Sequence, residues 1–245
     1  MMEIILFFAS VNDLLCKVNR SLATLGKALC YREISTLAFT EILNKFNFPV
    51  CVGIKMIYGN KPADGGFLII EENDYESFIN REPKAKKFIR PFMGAVEFLY
   101  NKKRWCLWLT NATPSEIKDC PLVYERIKKC QAKRASSIAE GIRKFAATPS
   151  LFAQRTQPEN VDFLIVPKVS SENRRYVPMA YIKAGTIASD LVFIIPDTTL
   201  YHFGILESNV HMAWMRAVCG RLKSDYRYSK DIVYNNFPWP AANDE

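Results

Sequence analysis

The residues Lys223-Ser224-Asp225-Tyr226-Arg227-Tyr228-Ser229 alternate charged or polar side chains with aromatic ones. In an extended chain successive side chains point to opposite faces, so Lys223, Asp225 and Arg227 would share one face and Ser224, Tyr226 and Tyr228 the other. The aromatic face would hold the strand to a core and leave donor, acceptor and donor pointing outward. That order suits base-pair edges in a major groove, where Lys or Arg donates to guanine O6 and N7 and a carboxylate accepts from cytosine N4. A solvated edge strand commonly carries the same mixture of charges. The pattern alone leaves both readings open.

A second polar element, Ser170-Ser171-Glu172-Asn173-Arg174-Arg175-Tyr176, reads as a turn between two β-rich runs. Ser170, Ser171, Asn173, Arg174 and Arg175 carry the hydroxyl, amide and guanidinium groups that suit phosphate oxygens. An ordinary exposed hairpin turn has the same composition. Lys128, Lys129, Lys133 and Arg134 lie along a helical stretch, where they would either follow a polyanionic backbone or be solvated.

Catalytic signatures are scarce. No G-x-G cluster follows a strand to admit a nucleotide-like cofactor. The chain also has no Pro-Pro pair, as the Asn-Pro-Pro-aromatic turn of amino-methylating enzymes requires, and no phosphate-binding P-loop. Glu116-Ile117-Lys118 has the E-x-K spacing of a metal-dependent nuclease, but it follows Pro114-Ser115 at a helix start and reads as a solvated face. His202 and His211 fall in apolar segments, an expected strand and an expected helix, and read as packed histidines. The seven cysteines are scattered without C-x-x-C spacing, and two histidines offer little for a zinc site. Reduced thiols in a cytoplasmic protein are the reading that follows.

With 245 residues, 49% hydrophobic, the chain is expected to bury a real core. Its formal charge of +8 favours an anionic partner, nucleic acid or an acidic membrane surface, without choosing between them. The apolar opening Met1–Ala9 is interrupted by Glu3, followed by Asn12 and Asp13, and is too short to span a bilayer. No membrane association is expected.

The elements that must position these groups fall into two parts. Residues 1–45 carry a helical stripe of Leu14, Leu15, Val18, Leu22 and Leu25 and read as a helical segment or linker of unassigned role. Residues 46–245 read as one domain. Strands are expected in Cys51–Tyr58, Phe67–Ile70, Trp105–Thr110, Phe163–Val166, Tyr176–Ile182, Leu191–Ile195 and Thr199–Leu206, separated by turns such as Gly59-Asn60 and Asp64-Gly65-Gly66. A long helical stretch is expected over Pro121–Ala147. A shorter helix, capped by Ser208 or Asn209, runs through Trp214 to a stop at Gly220. Strands and helices interleave without a βαβ rhythm, which predicts an α+β fold with a mixed or antiparallel sheet and packed helices.

Several blocks resemble, in order, those of the MmeI-like family of bacterial restriction-modification proteins. They are Gly59–Gly66, Arg104–Leu109, Ile165–Glu172, Tyr201–Gly204, His211–Arg216 and Tyr234–Pro240. Such proteins fuse a nuclease, an adenine-N6 DNA methyltransferase and a target-recognition domain. The resemblance implies that this chain is the target-recognition part, with duplex DNA and a methyltransferase domain as its partners. It implies base-reading positions at Lys223, Asp225 and Arg227, with Leu191 as another specificity position. It also implies no cofactor in this chain, since S-adenosylmethionine, and Mg²⁺ if a nuclease is present, would belong to other domains. Two rival readings remain: a self-sufficient DNA methyltransferase or nuclease with an unrecognised site, and a structural clamp fragment.

Overall fold

A computed structural model of the chain describes residues 54–239, so the Leu14–Leu25 stripe lies outside the described residues. The strands are β1 (Ile57–Tyr58), β2 (Ile69–Glu71), β3 (Ile89–Met93), β4 (Arg104–Leu107), β5 (Phe163–Pro167), β6 (Val169–Ser170), β7 (Ala180–Ile182), β8 (Ile187–Ala188), β9 (Val192–Pro196), β10 (Gly220–Leu222) and β11 (Asp225–Arg227). The helices are α1 (Glu72–Arg81), α2 (Ala95–Tyr100), α3 (Pro114–Lys118), α4 (Pro121–Ala135), α5 (Glu140–Arg143), α6 (Leu200–Leu206) and α7 (Asn209–Val218). Among the described residues three sheets form, in the orders β1-β9-β5-β7, β2-β4-β3-β8 and β10-β11-β6. All their pairings are antiparallel except the parallel pair β3–β8. The fold is therefore α+β, with two antiparallel sheets and one mixed sheet.

The first sheet is the central layer. Its strands β5 and β9 are uninterrupted apolar runs because both of their faces are covered. Leu164, Val166, Phe193 and Ile195 pack with Leu206, Met212, Trp214 and Met215 of α6 and α7. The alternate residues Phe163, Ile165, Val192 and Ile194 pack on the opposite side with Met93, Ala95 and Phe98. A separate core joins β2, β3 and β4 to α1 and α4.

The loop after β1 stitches these layers together. Gly59 sits so close to Ser189 that a Cβ there would lie 2.1 Å from the Ser189 carbonyl oxygen. Asn60 is fully buried. Its Nδ2 donates to Gln157 Oε1 (3.0 Å) and the Ala188 carbonyl (3.1 Å), while its Oδ1 accepts from Thr156 N (2.9 Å) and Gln157 N (3.3 Å). Arg134 is also fully buried and uses all five of its N–H groups on main-chain carbonyls. Nε donates to Ala63, Nη1 to Phe145 and Thr148, and Nη2 to Pro62 and Leu151, at 2.7–3.0 Å. Arg134 is thus a structural staple, which corrects its expected role as a phosphate contact.

Other boundaries differ from those expected. Thr199–Leu206 is not a strand: Thr199 precedes helix α6, and its Oγ1 lies 2.8 Å from His202 Nδ1, as in a capping box. A short apolar run has no decisive period, and this local cap makes it helical. The stretch Pro121–Ala147 breaks at Ser136, because residues 145–151 fold back to give Arg134 their carbonyls. Pro178 lacks an N–H for a ladder, and β7 starts only at Ala180. Ser208 is the cap of α7, its Oγ accepting from His211 N at 3.1 Å. Gly220 opens β10 directly after that helix.

Two stability predictions follow from the buried polar groups. Arg134→Met leaves five carbonyls without their donor, and chemical denaturation should show a loss of about 3–5 kcal/mol. Lys133→Met on the exposed face should stay within about 0.5 kcal/mol; equal effects would mean that water replaces the guanidinium. His211 is fully buried in α7, and burial pushes its pKa down to about 3. Its folded-state pKa is below the unfolded value, so the stability of the neutral form is present above about pH 6.5 and is lost as pH falls toward 3. Between pH 6.5 and 4.5 the wild type should lose about 2 kcal/mol more than His211→Phe, measured by urea denaturation; parallel losses would place the imidazole in contact with water.

Candidate nucleic-acid interface

The charged-aromatic motif forms a hairpin of β10 and β11, with Leu222 opposite Asp225 and Lys223-Ser224 as the turn. Beyond the turn the expected alternation is present. Tyr226 and Tyr228 are buried, Arg227 is exposed and Asp225 is half-exposed. The Tyr228 hydroxyl lies 2.9 Å from His211 Nε2, which ties the strand to α7. The Arg221 guanidinium covers the Tyr226 ring at 4.0 Å. Lys223 departs from expectation. It adopts a left-handed backbone (φ 56°) at the turn and is not the first residue of a shared strand face. Two residues must reverse the chain there, and that geometry overrides the period-two pattern.

The Ser170–Tyr176 element is brought to the same place. Strand β6 pairs with β11, setting Ser170 opposite Tyr226 and Val169 opposite Arg227. Asp225 Oδ1 accepts from Glu172 N at 3.4 Å, and Arg221 Nη1 lies 3.9 Å from Glu172 Oε2. Ser170 is only 2% exposed, being a paired strand residue, which corrects its assignment as a phosphate contact. Ser171 shapes the turn by accepting from Asn173 N at its hydroxyl and from Arg174 N at its carbonyl. Asn173 and Arg175 are exposed and Arg174 is half-exposed. Arg175 lies 5.3 Å over the Tyr176 ring, and its carbonyl accepts from Arg216.

Leu191 stands immediately before β9 and is 57% exposed, large for an apolar side chain with no cover. Its N–H donates to Ser189 Oγ (3.1 Å), and the neighbouring Asp190 N–H donates to the Asn60 carbonyl (2.9 Å). Leu191 is thus an exposed side chain on a rigidly held bend. The register of β5 with β9 pairs Pro167 with Val192, bringing this bend to the residue that follows, Lys168. The Lys168 carbonyl in turn accepts from Tyr228 N (2.8 Å), next to Arg227. The hairpin, the Ser171–Arg175 turn and the Leu191 bend therefore converge at one end of the β5–β6 strand.

Lys128, Lys129 and Lys133 are exposed on α4, whose other face enters the separate core through Val123, Ile127, Cys130 and Arg134. Lys128 lies 4.4 Å over the Tyr124 ring and Lys129 pairs with Glu125 at 2.7 Å. They belong to a different layer from the hairpin. Glu116 accepts from Thr113 N and Oγ1 in a capping box and pairs with Lys87, whose hydrogen bond leads the causes that hold its pKa down to about 2. Cys106, Cys120, Cys130 and Cys219 are free thiols. No helix among the described residues is long and apolar enough to cross a membrane. No group of three or more His, Cys, Asp or Glu among them could hold a metal ion.

Sequence reasoning did not single out Lys168, Lys61, Lys230 or Tyr58. Lys168 Nζ lies 4.4 Å from the Tyr58 ring centroid and 5.2 Å from that of Phe193, and Lys230 Nζ lies 5.2 Å from Tyr58. The signal available was Lys168 itself, a cation set between two β-rich runs; its partners come from distant parts of the chain.

The family model described as "MmeI, target recognition domain" matches residues 40–241. DNA methyltransferase A of Bacillus subtilis (strain 168) is 44% identical over 189 residues, covering 77% of this chain and 21% of that protein. A solved structure of the type IIL restriction-modification enzyme MmeI in complex with DNA is 43% identical, with a TM-score of 0.77, covering 81% of this chain and 26% of that one. The chain thus spans about a fifth to a quarter of the relatives it matches. With the family model matched over most of its 245 residues, the chain belongs to the MmeI target-recognition-domain family.

Proposed function

We propose that this chain is a sequence-specific module for double-stranded DNA that positions the catalytic domain of a restriction-modification DNA methyltransferase of the adenine-N6 class. The observation that carries the reading is the convergence of three polar elements on one rigid end of the β5–β6 strand, in a chain 43% identical to an enzyme solved with DNA. Asp225, Arg227 and the exposed Leu191 supply acceptor, donor and apolar contact, the three chemistries by which base edges in the major groove are distinguished. Lys223, at the tip of the hairpin, joins them as a donor. Ser171, Asn173, Arg174 and Arg175 contact phosphates beside them, and Lys128, Lys129 and Lys133 add a more distant basic face.

In this reading the chain is non-catalytic and works in the cytoplasm. S-adenosylmethionine binds in the methyltransferase domain, and Mg²⁺ in a nuclease domain where one is present. The buried and capping roles of His211 and Glu116 support this division, because each side chain is already engaged in the fold. Base readers need rigid support, and the hairpin has it through Tyr226 and Tyr228, which sit in the core.

The test is binding of the 245-residue chain to a duplex across salt concentrations. If about five phosphates are neutralised, log K should fall with a slope of about −4 to −5 against log salt. Affinity indifferent to salt would remove the basic face from the account. A saturable heat with S-adenosylmethionine, measured beside it, would favour a self-sufficient methyltransferase instead.

A further inference from the structure

The corner around Tyr58 collects more positive charge than the fold compensates. Lys168 and Lys230 both place their ammonium groups over the Tyr58 ring, which is 43% exposed. Burial lowers the Lys168 pKa, Asp190 opposes that shift, and the like charges of Arg227 and Lys61 reinforce it. Lys230 has Asp231 as an ion-pair partner. Among the described residues, Lys61, Lys168 and Arg227 make no ion pair.

Such an arrangement costs the free protein. Like charges repel at short range, and partial burial removes the water that would screen them. The cost is relieved when an anion arrives, and the relief is largest at the cation held most firmly. That cation is Lys168. Its ammonium lies over Tyr58 and Phe193, its own carbonyl is fixed by Tyr228 N, and it follows strand β5 directly. Arg227 is one strand away, opposite Val169. Lys61 enters from the loop fixed by Asn60.

We infer that Lys168, over the Tyr58 ring beside Lys230 and one strand away from Arg227, forms a binding site for a single DNA backbone phosphate, set between the Leu191 bend and the β10–β11 hairpin. The inference rests on the DNA-recognition reading and deepens it. A phosphate held there fixes the duplex between the two elements proposed to read bases, so the site sets register and carries no sequence preference itself. Within this inference Arg227 moves from base donor to the backbone phosphate, and Lys223, Asp225 and Leu191 remain the base readers beside it.

The test measures duplex binding of the 245-residue chain, wild type and Lys168→Met, over a salt series with a target duplex and an unrelated duplex. Methionine keeps an unbranched apolar stem of similar length without the charge, and an unchanged melting temperature reports an intact fold. The variant should bind both duplexes about tenfold more weakly at low salt, and the salt slope should flatten by about 0.9, the value for one phosphate. Lys168→Arg should restore the wild-type slope. A folded Lys168→Met with wild-type affinity and slope would overturn the site while leaving the DNA reading intact. A change confined to the target duplex would also overturn it, by making Lys168 a base reader. Failure of the wild type to bind either duplex at low salt would instead defeat the DNA reading on which the site rests.

Discussion

The seating of the loop from Gly59 to Asp64 is the constraint on which the other layers depend. Gly59 permits an approach to Ser189 that no side chain would allow. Asn60 satisfies both ends of its amide on two separate segments, and the Pro62 and Ala63 carbonyls close around Arg134. The Asp64 carboxylate accepts from Leu68 N at the start of the second sheet. One short loop thereby joins the central sheet, the β8–β9 bend and helix α4. Asn60, Asp64 and Arg134 are buried and paired, and an unpaired buried polar group costs far more than a paired one gains. The loop has one low-energy arrangement, and the Leu191 bend inherits its rigidity from it.

The same logic runs through the proposed recognition surface. Its outward groups are few, and Asp225, Arg227 and Leu191 each stand on or beside a strand whose reverse side is core. Asp225 and Arg227 flank Tyr226, whose ring is packed, and Tyr228 reaches His211 inside α7. A reader of base edges gains discrimination only when a wrong base leaves its groups unpaired, so the groups must be unable to move away. Aromatic anchoring of a three-residue strand supplies that restriction where the strand alone is too short to be stable.

Much of this was legible in the sequence. The runs at β5 and β9 are apolar throughout, so their burial on both faces leaves little ambiguity, and the α7 helix declares itself by Ser208 and its stripe. The Tyr226–Tyr228 alternation was legible because burial of one face imposes it. What was not legible depends on contacts between distant residues. Arg134 has the sequence context of a surface arginine, and only carbonyls up to 72 positions away make it a core residue. Ser170 lies in a polar run yet pairs with Tyr226 in a sheet. Lys223 reads as strand until the hairpin needs a turn. Thr199–Leu206 has strand-like composition, and its helical state rests on one cap. Lys168 draws its meaning from Tyr58, Phe193 and Arg227, which no local pattern joins.

The central claim is that sequence is read by this chain, at the hairpin carrying Asp225. The most direct measurement is selection of duplexes from a randomised pool by the wild-type chain and by a Lys223→Glu, Asp225→Arg double variant, followed by sequencing. The account predicts that the wild type enriches a short motif and that the variant changes preference at one base pair of it, while the remaining positions persist. Enrichment of the same motif by both proteins would place base reading elsewhere, and no enrichment by the wild type would contradict recognition by this chain.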